Sequence, residues 1–295
     1  MTAPLLLADW GTTSRRAWLL DGDGEVLASA EDDRGMLSIP SGGWEAAFAE
    51  LKAALGGVEP RLSLIAGMVG ADRGWRDAGY LPCPAAIGDL ARGLCWVEPG
   101  VVAIVPGLSV TDGRADVMRG EETQILGAIA AGLAPPDCVA CHPGTHTKWI
   151  SVHGAKVARF RTVMTGELFA LLKGHSILSN RLQEKVAAGP DFDAGLERGL
   201  ATGEAIADLF AIRADALSGA GRIESGAAYA SGLLIGADVR AGLTMSADRE
   251  VHVIGRPDLA ALYARAIEAC GRRAVAVDGS AAVVAGLRRI SEMAA

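Results

Sequence analysis

Two stretches of this chain, roughly half its length apart, open in the same way, and that recurrence restricts the fold more than any other feature. Residues 9–28 read DWGTTSRRAWLLDGDGEVLA, and residues 142–158 read HPGTHTKWISVHGAKVA. Each follows a short apolar run, PLLLAD at 4–9 and CVACH at 138–142. Each then gives a Gly-Thr turn, a strand bearing a tryptophan, a glycine-containing hairpin and a third strand. A strand–strand–strand unit met twice predicts duplication of one α/β module, and so two like α/β domains.

Hydrophobic periodicity fills in the rest. In the first half it predicts strands at 4–9, 16–20, 25–30, 62–66 and 101–105, a helix at 43–55, and a loop-rich insertion at 71–100 carrying Pro82, Pro84 and Pro99. In the second half it predicts strands at 138–142, 148–152, 156–161, 251–254 and 274–277. Helices are expected there at 166–173 with Thr165 as N-cap, and at 178–188, 203–216, 224–241, 258–270 and 279–290. The joint is expected between Thr111 and Gly120, giving domains 1–117 and 118–295.

Composition narrows the function classes. Half of the residues are hydrophobic, which supplies a large core and excludes a disordered chain. A net charge of −7 and 5% aromatic content argue against a nucleic-acid binder. The longest uncharged apolar stretches, 125–136 and 226–237, fall short of the about 18 residues that a membrane span needs. Residues 1–9 lack the basic start of an export signal, so the chain is expected in the cytoplasm with its five cysteines reduced. The run Cys138-Val-Ala-Cys141-His142 has the spacing of a covalent haem site. It lies on an expected buried strand, where cysteines serve as small apolar residues, and adding His146 for zinc leaves no room for the usual intervening loop.

The Gly-Thr turns carry the chemistry. Glycine admits a ligand close to the backbone, and the threonine hydroxyl with successive N–H groups can cradle phosphate. Taken singly, such a turn is an ordinary hairpin; two at the heads of equivalent units suggest a nucleotide held from both. Asp9, ending the first strand, is placed to meet Mg²⁺ through water. The P-loop pattern is absent, so phosphate is not bound that way. Met118-Arg119-Gly120-Glu121-Glu122 opens a helix. Acids in a first turn suit the helix dipole on their own account; the functional alternative is a general base for a substrate hydroxyl, with Arg119 holding an anionic oxygen. His146 is within reach of a phosphate, and the other four histidines show no catalytic pattern.

With Val251-His252-Val253-Ile254-Gly255 in the adenosine position, the chain resembles the sugar kinase/Hsp70/actin superfamily. More narrowly, DWGTTSRRAWLL, GMVGADRGW with YLPCPA, MRGEETQILGA, HPGTHTKW, TVMTGELFALL and ASGLLIGADVRAGL resemble the 2-dehydro-3-deoxygalactonokinase family over nearly the whole length. The resemblance implies two ribonuclease H-like, actin-like ATPase domains of βββαβαβ type facing across a nucleotide cleft. It implies ATP and Mg²⁺ as cofactors and phosphorylation of the 6-hydroxyl of 2-dehydro-3-deoxy-D-galactonate in galactonate catabolism. Asp9, Gly11, Thr12 and Thr13 match the first phosphate motif; Gly144, Thr145 and Thr147, with Lys148 beside them, match the second; Ile254 and Gly255 match the adenosine motif. Glu122 stands where many superfamily kinases carry an aspartate base, and Glu121 competes for the role. Ala71-Asp72 departs from the Ser-Arg of the family, which leaves Arg73, with Trp75 and Arg119, as candidate substrate contacts; Arg73 reads equally as a solvated loop arginine.

Two other readings remain at this stage. One is a kinase for another sugar acid, such as the epimeric 2-dehydro-3-deoxy-D-gluconate, since one stereocentre rests on a few hydrogen bonds. The other is an ATP-dependent switch without small-molecule phosphotransfer. The expected partner is a small sugar acid, with no nucleic acid and no membrane; a homodimer is left open.

Overall fold

The computed structural model describes residues 4–202, 204–245 and 247–294. They form an α/β protein of two compact units. Of the described residues, those within 1–137, 152–160 and 278–295 form unit 1, and those within 138–151 and 161–277 form unit 2.

Unit 1 begins with β1 (Leu5–Trp10), β2 (Arg15–Leu20) and β3 (Val26–Asp32), then α1 (Trp44–Ala54) and β4 (Leu62–Gly67). The stretch read as a loop-rich insertion is more ordered than its prolines suggest. It carries β5 (Tyr80–Pro82), β6 (Ala85–Ala86), α2 (Ile87–Arg92) and β7 (Cys95–Glu98), with β8 (Val102–Ile104) following. Next come β9 (Gly107–Val110), β10 (Asp116–Met118) and α3 (Glu121–Ala130). The main sheet has the order β3-β2-β1-β4-β8-β7. β1 pairs antiparallel with β2, setting Asp9 opposite Arg16, and parallel with β4, setting Trp10 opposite Gly67. Leu5, Leu6, Leu7 and Ala8 are all buried because a central strand is covered on both faces. One face takes α1, whose Trp44, Phe48 and Leu51 recur at helical spacing and pack with Leu6, Ala8 and Trp10. A small sheet, β10-β9-β5, holds the insertion beside α3.

After β11 (Cys138–His142) come β12 (Thr147–His153) and β13 (Lys156–Val163), whose residues through Phe160 belong to unit 1; β11 and β12 up to Ser151 belong to unit 2. Its helices are α4 (Thr165–His175), α5 (Pro190–Thr202), α6 (Ala205–Leu209), α7 (Ala211–Ser218) and α8 (Gly226–Leu243). Then follow β14 (Glu250–Gly255), α9 (Pro257–Ala269), β15 (Arg273–Asp278) and α10 (Gly279–Met293), the last packing on α3 within unit 1. An edge strand, β6, pairs antiparallel with β13 and precedes the order β13-β12-β11-β14-β15, in which β14 is parallel to β11. That repeats the order β3-β2-β1-β4-β8: three strands, a parallel neighbour, then a fifth. The duplicated module is therefore a ribonuclease H-like sheet used twice. Cys138 and Cys141 lie buried on β11, and none of the five cysteines forms a disulfide. No helix among the described residues is long and apolar enough to cross a membrane.

Three helix expectations need correction. Thr165 is the first helical residue rather than the cap; Met164 holds the cap position and Thr165 spends its hydroxyl elsewhere. The expected 178–188 helix is a single turn at Ser179–Arg181. Ser176 and Ser179 hydroxyls bond nearby backbone groups there and compete with helix formation. The expected 203–216 helix is two pieces meeting at Phe210; its first residue, Gly203, lies outside the described residues. Missed entirely is α5, whose glycines argue against a helix by propensity. Gly195 nevertheless belongs there, since a Cβ on it would lie 2.1 Å from the Tyr229 carbonyl of α8.

Candidate active site

In unit 1 the carboxylate at the end of β1 is partly open. Asp9 Oδ2 accepts from Arg16 Nη2 at 2.7 Å, with the two side chains 14% and 28% exposed. Arg16 also donates through Nη1 to Ser280 Oγ at 2.8 Å, in the first turn of α10, which Asp278 caps. The turn that follows Asp9 is held through its backbone. Gly11 N–H donates to Ser14 O, while Gly11 O and Thr12 O accept from Met36 and Leu37 N–H. Gly35 lets this contact form: a Cβ there would lie 2.3 Å from Thr13 N. Thr12 and Thr13 are left facing solvent.

Gly67 brings a third segment to the same place. At φ +96° it lies so close to β1 that a Cβ would meet Trp10 O at 2.6 Å. Gly120, at φ +105°, stacks on Gly67 in turn. The ends of β1 and β4 and the start of α3 thus approach backbone to backbone, which sets Glu121 and Glu122 near the Asp9–Thr13 turn. The two carboxylates differ. Glu122 is fully buried; both of its oxygens accept from Gly120 N–H, at 2.9 and 2.7 Å, and Thr123 Oγ1 donates to one of them. Burial and the neighbouring Glu121 push its pKa up to about 8, against the pull of those donors. Glu121 is half-buried, and its Oε2 accepts from Arg119 N–H at 3.1 Å.

Arg119 is 8% exposed. Its Nη2 donates to Gly79 O at 3.0 Å, Asp77 stands 4.0 Å away, and the Tyr80 ring lies 4.4 Å from the guanidinium carbon. Nε and Nη1 are buried without a hydrogen-bond partner. Trp75 is placed elsewhere, against Phe48 of α1 at 5.3 Å and donating to Glu45 at 3.2 Å. Arg73 is exposed on the loop between.

Unit 2 holds the second turn differently. Nothing lies within 4 Å of a Cβ placed on Gly144, and Thr145 and His146 are exposed. The turn rests on α4: Glu167 N–H donates to Thr145 O at 2.9 Å, and His146 Nε2 meets Glu167 Oε2 at 2.5 Å. Gly166 permits the contact, since a Cβ there would lie 2.4 Å from Gly144 O. Lys148 is buried and donates to His146 O at 3.1 Å. Thr147 points inward, its hydroxyl 2.7 Å from that of Tyr263. Ile254 is buried at the end of β14, and Gly255 lies beside the turn, its Cβ position 3.5 Å from Pro143 O.

In unit 1, Asp9, Gly11, Thr12 and Thr13 follow the end of β1, where Gly67 meets Trp10 and the Gly120 start of α3 rests on Gly67; in unit 2, Gly144 and Thr145 lie in the turn beside Gly255. Arg16 in unit 1, and Asp238 and Tyr263 in unit 2, are engaged beside these turns although the sequence reading passed over them. Asp238 left a signal, as a carboxylate in the otherwise apolar run GLLIGADV. Among the described residues no three His, Cys, Asp or Glu side chains gather as a metal cage. Mg²⁺ usually keeps waters and takes one or two carboxylates with phosphate oxygens, so a lone, partly open Asp9 fits such an ion bound with a nucleotide.

The chain is 38% identical to the 2-dehydro-3-deoxygalactonokinase of Escherichia coli (strain K12), with all of both chains covered. A Sinorhizobium meliloti crystal structure of a protein named for the same kinase shares 36% identity and superposes with a TM-score of 0.90 over 98% of each chain. Component A of the (R)-2-hydroxyglutaryl-CoA dehydratase of Acidaminococcus fermentans, 12% identical with a TM-score of 0.54 over all of both chains, shares the fold alone. The family model described as 2-keto-3-deoxy-galactonokinase matches residues 9–290, and the chain belongs to that family.

Proposed function

We propose that this protein is an ATP-dependent kinase that phosphorylates the 6-hydroxyl of 2-dehydro-3-deoxy-D-galactonate, acting in galactonate catabolism. Membership of the family supports the substrate class. The observation that carries the chemistry is the approach of Gly67 and Gly120, which sets an acidic helix start beside the Asp9 turn.

In this reading Gly11, Thr12 and Thr13, and Gly144 and Thr145, offer backbone N–H and hydroxyl groups to phosphate oxygens. Lys148 and Thr147 brace the second turn from inside, and Ile254 and Gly255 flank the adenosine. Mg²⁺, held through water by Asp9, would neutralise phosphate charge. Of the two acids, Glu121 is the base: it is the one solvent reaches, whereas Glu122 is enclosed and protonated at neutral pH. Glu121 takes the proton of the sugar hydroxyl as that oxygen attacks the γ-phosphorus in line and ADP leaves. Arg119, a buried cation with two unpartnered nitrogens, supplies positive charge for the substrate carboxylate. Arg73 is a second, outer cation, and Trp75 shapes the loop that bears it.

The test is ADP release from Mg-ATP with 2-dehydro-3-deoxygalactonate, alongside the gluconate epimer, galactonate, glucose and glycerol. Turnover on the first alone is the expected result. Faster turnover on the epimer overturns the substrate assignment, and ATP binding without turnover on any of them favours a switch.

A further inference from the structure

Helix α8 buries one charged side chain, Asp238, which is 1% exposed. A carboxylate so placed is costly unless donors surround it. Three elements supply them. Trp149 Nε1 of β12 donates to Oδ1 at 2.8 Å, while Thr165 Oγ1 of α4 and Tyr263 OH of α9 each donate to Oδ2 at 2.5 Å. Because the phenol proton goes to Asp238, Thr147 donates its own to the Tyr263 oxygen across their 2.7 Å contact. Burial raises the pKa of both Asp238 and Tyr263. Two of these residues flank the second Gly-Thr turn: Thr147 follows His146 directly, and Thr165 precedes Gly166 and Glu167, on which the turn rests. One carboxylate thereby fixes the strand that leaves the turn and the helix that backs it. It does so from the protein interior, out of reach of any ligand on the exposed side at Thr145 and His146.

We propose that Asp238 is a positioning residue for nucleotide binding, acting through Tyr263–Thr147 and through Thr165 to set the turn Gly144–His146 for phosphate. The proposal rests on the reading of that turn as a phosphate site. A network that served folding alone would change stability and leave substrate constants untouched; one that sets the turn changes the nucleotide constant and spares the sugar constant.

The experiment uses the full chain as wild type, Tyr263→Phe, Thr165→Val and Asp238→Asn. For each, ADP and ATP affinity is measured by calorimetry, KM is measured for ATP and for the sugar acid, and the melting temperature is recorded. Tyr263→Phe removes one oxygen from a packed ring and is the variant that keeps the test decisive should Asp238→Asn fold poorly. It is expected to weaken ATP binding and raise KM for ATP by roughly three- to tenfold, as loss of one or two buried hydrogen bonds implies. KM for the sugar acid is expected to stay within about twofold. Unchanged nucleotide affinity in Tyr263→Phe, with or without a lower melting temperature, overturns the proposal, as does an equal rise in both KM values. Failure of the wild type to bind ATP removes the underlying reading and the proposal with it, and is distinguished by appearing before any substitution is made.

Discussion

The two Gly-Thr turns grow from one local pattern, yet the protein fastens them by different means. The first is tied by its own backbone: Gly11 and Thr12 carbonyls accept from Met36 and Leu37, and the charged residues Asp9 and Arg16 stay partly open. The second is tied from within, by Thr147 through Tyr263 to Asp238, and leaves only Thr145 and His146 outside. Each is pressed against a glycine that no larger residue can replace without displacing backbone, Gly35 in one case and Gly166 in the other. The same hairpin can thus carry an accessible charge or a buried brace, depending on which residue of the strand is polar and which way it points.

That difference separates a functional loss from a structural one. Asp9→Asn keeps the shape of the first turn and gives up only a partly exposed ion pair, so stability should change by less than about 1 kcal/mol. Turnover should nevertheless fall by roughly 10²–10³-fold, the scale of removing one electrostatic partner of a phosphoryl group. Normal turnover with Mg-ATP would remove Asp9 from the reaction. Glu121→Gln should lower kcat by about 10²–10⁴-fold with nucleotide affinity preserved, as loss of a general base predicts.

Glu122→Gln tests the other carboxylate and is expected to act first on stability. Glu122 binds its proton up to about pH 8 in the folded protein. In the unfolded chain it releases the proton near its ordinary value of 4.5. Between those values the native state holds the extra proton, so this residue costs stability progressively as pH rises, and the cost is complete above about pH 8. The Gln variant carries no such cost. It should melt above wild type at pH 8, and the gap should close as pH falls toward about 5. A gap that widens on acidification would mean that Glu122 is ionised in the fold and would reopen its assignment as the base.

Much of this architecture is legible in the sequence because it rests on local rules. The repeated strand–turn–strand pattern gives the duplicated sheet, and alternating or continuous apolar runs give β1, β4, β11 and β14. The failures are tertiary. Helix α5 forms although Gly195 and Gly199 are poor helix residues, since their bareness is what lets it lie on α8. Thr165 looks like a cap and is instead recruited by a carboxylate 73 positions away. In the candidate site, Asp9 and the Gly-Thr residues stand out by motif, whereas nothing local tells that Glu122 is enclosed and Glu121 is not. That distinction depends on Gly67 bringing β4 under Gly120, a contact across more than fifty residues of chain that no spacing encodes.

The smallest expected effect bears on the second turn alone. Outside, it is tied to α4 by the pair of His146 and Glu167, 46% and 38% exposed; inside, by the Asp238 network. An exposed ion pair is worth little, because solvent screens it and two side chains lose freedom to make it. Glu167→Gln retains the backbone N–H that donates to Thr145 O and removes only the charge. Its melting temperature should therefore shift by less than about 2 °C. The comparison with Tyr263→Phe is then direct, because both substitutions act on the same turn from opposite sides. Should Glu167→Gln destabilise the protein as much as Tyr263→Phe, the turn would be held at its surface as firmly as in its core. The contrast between the two turns would then lose its physical basis.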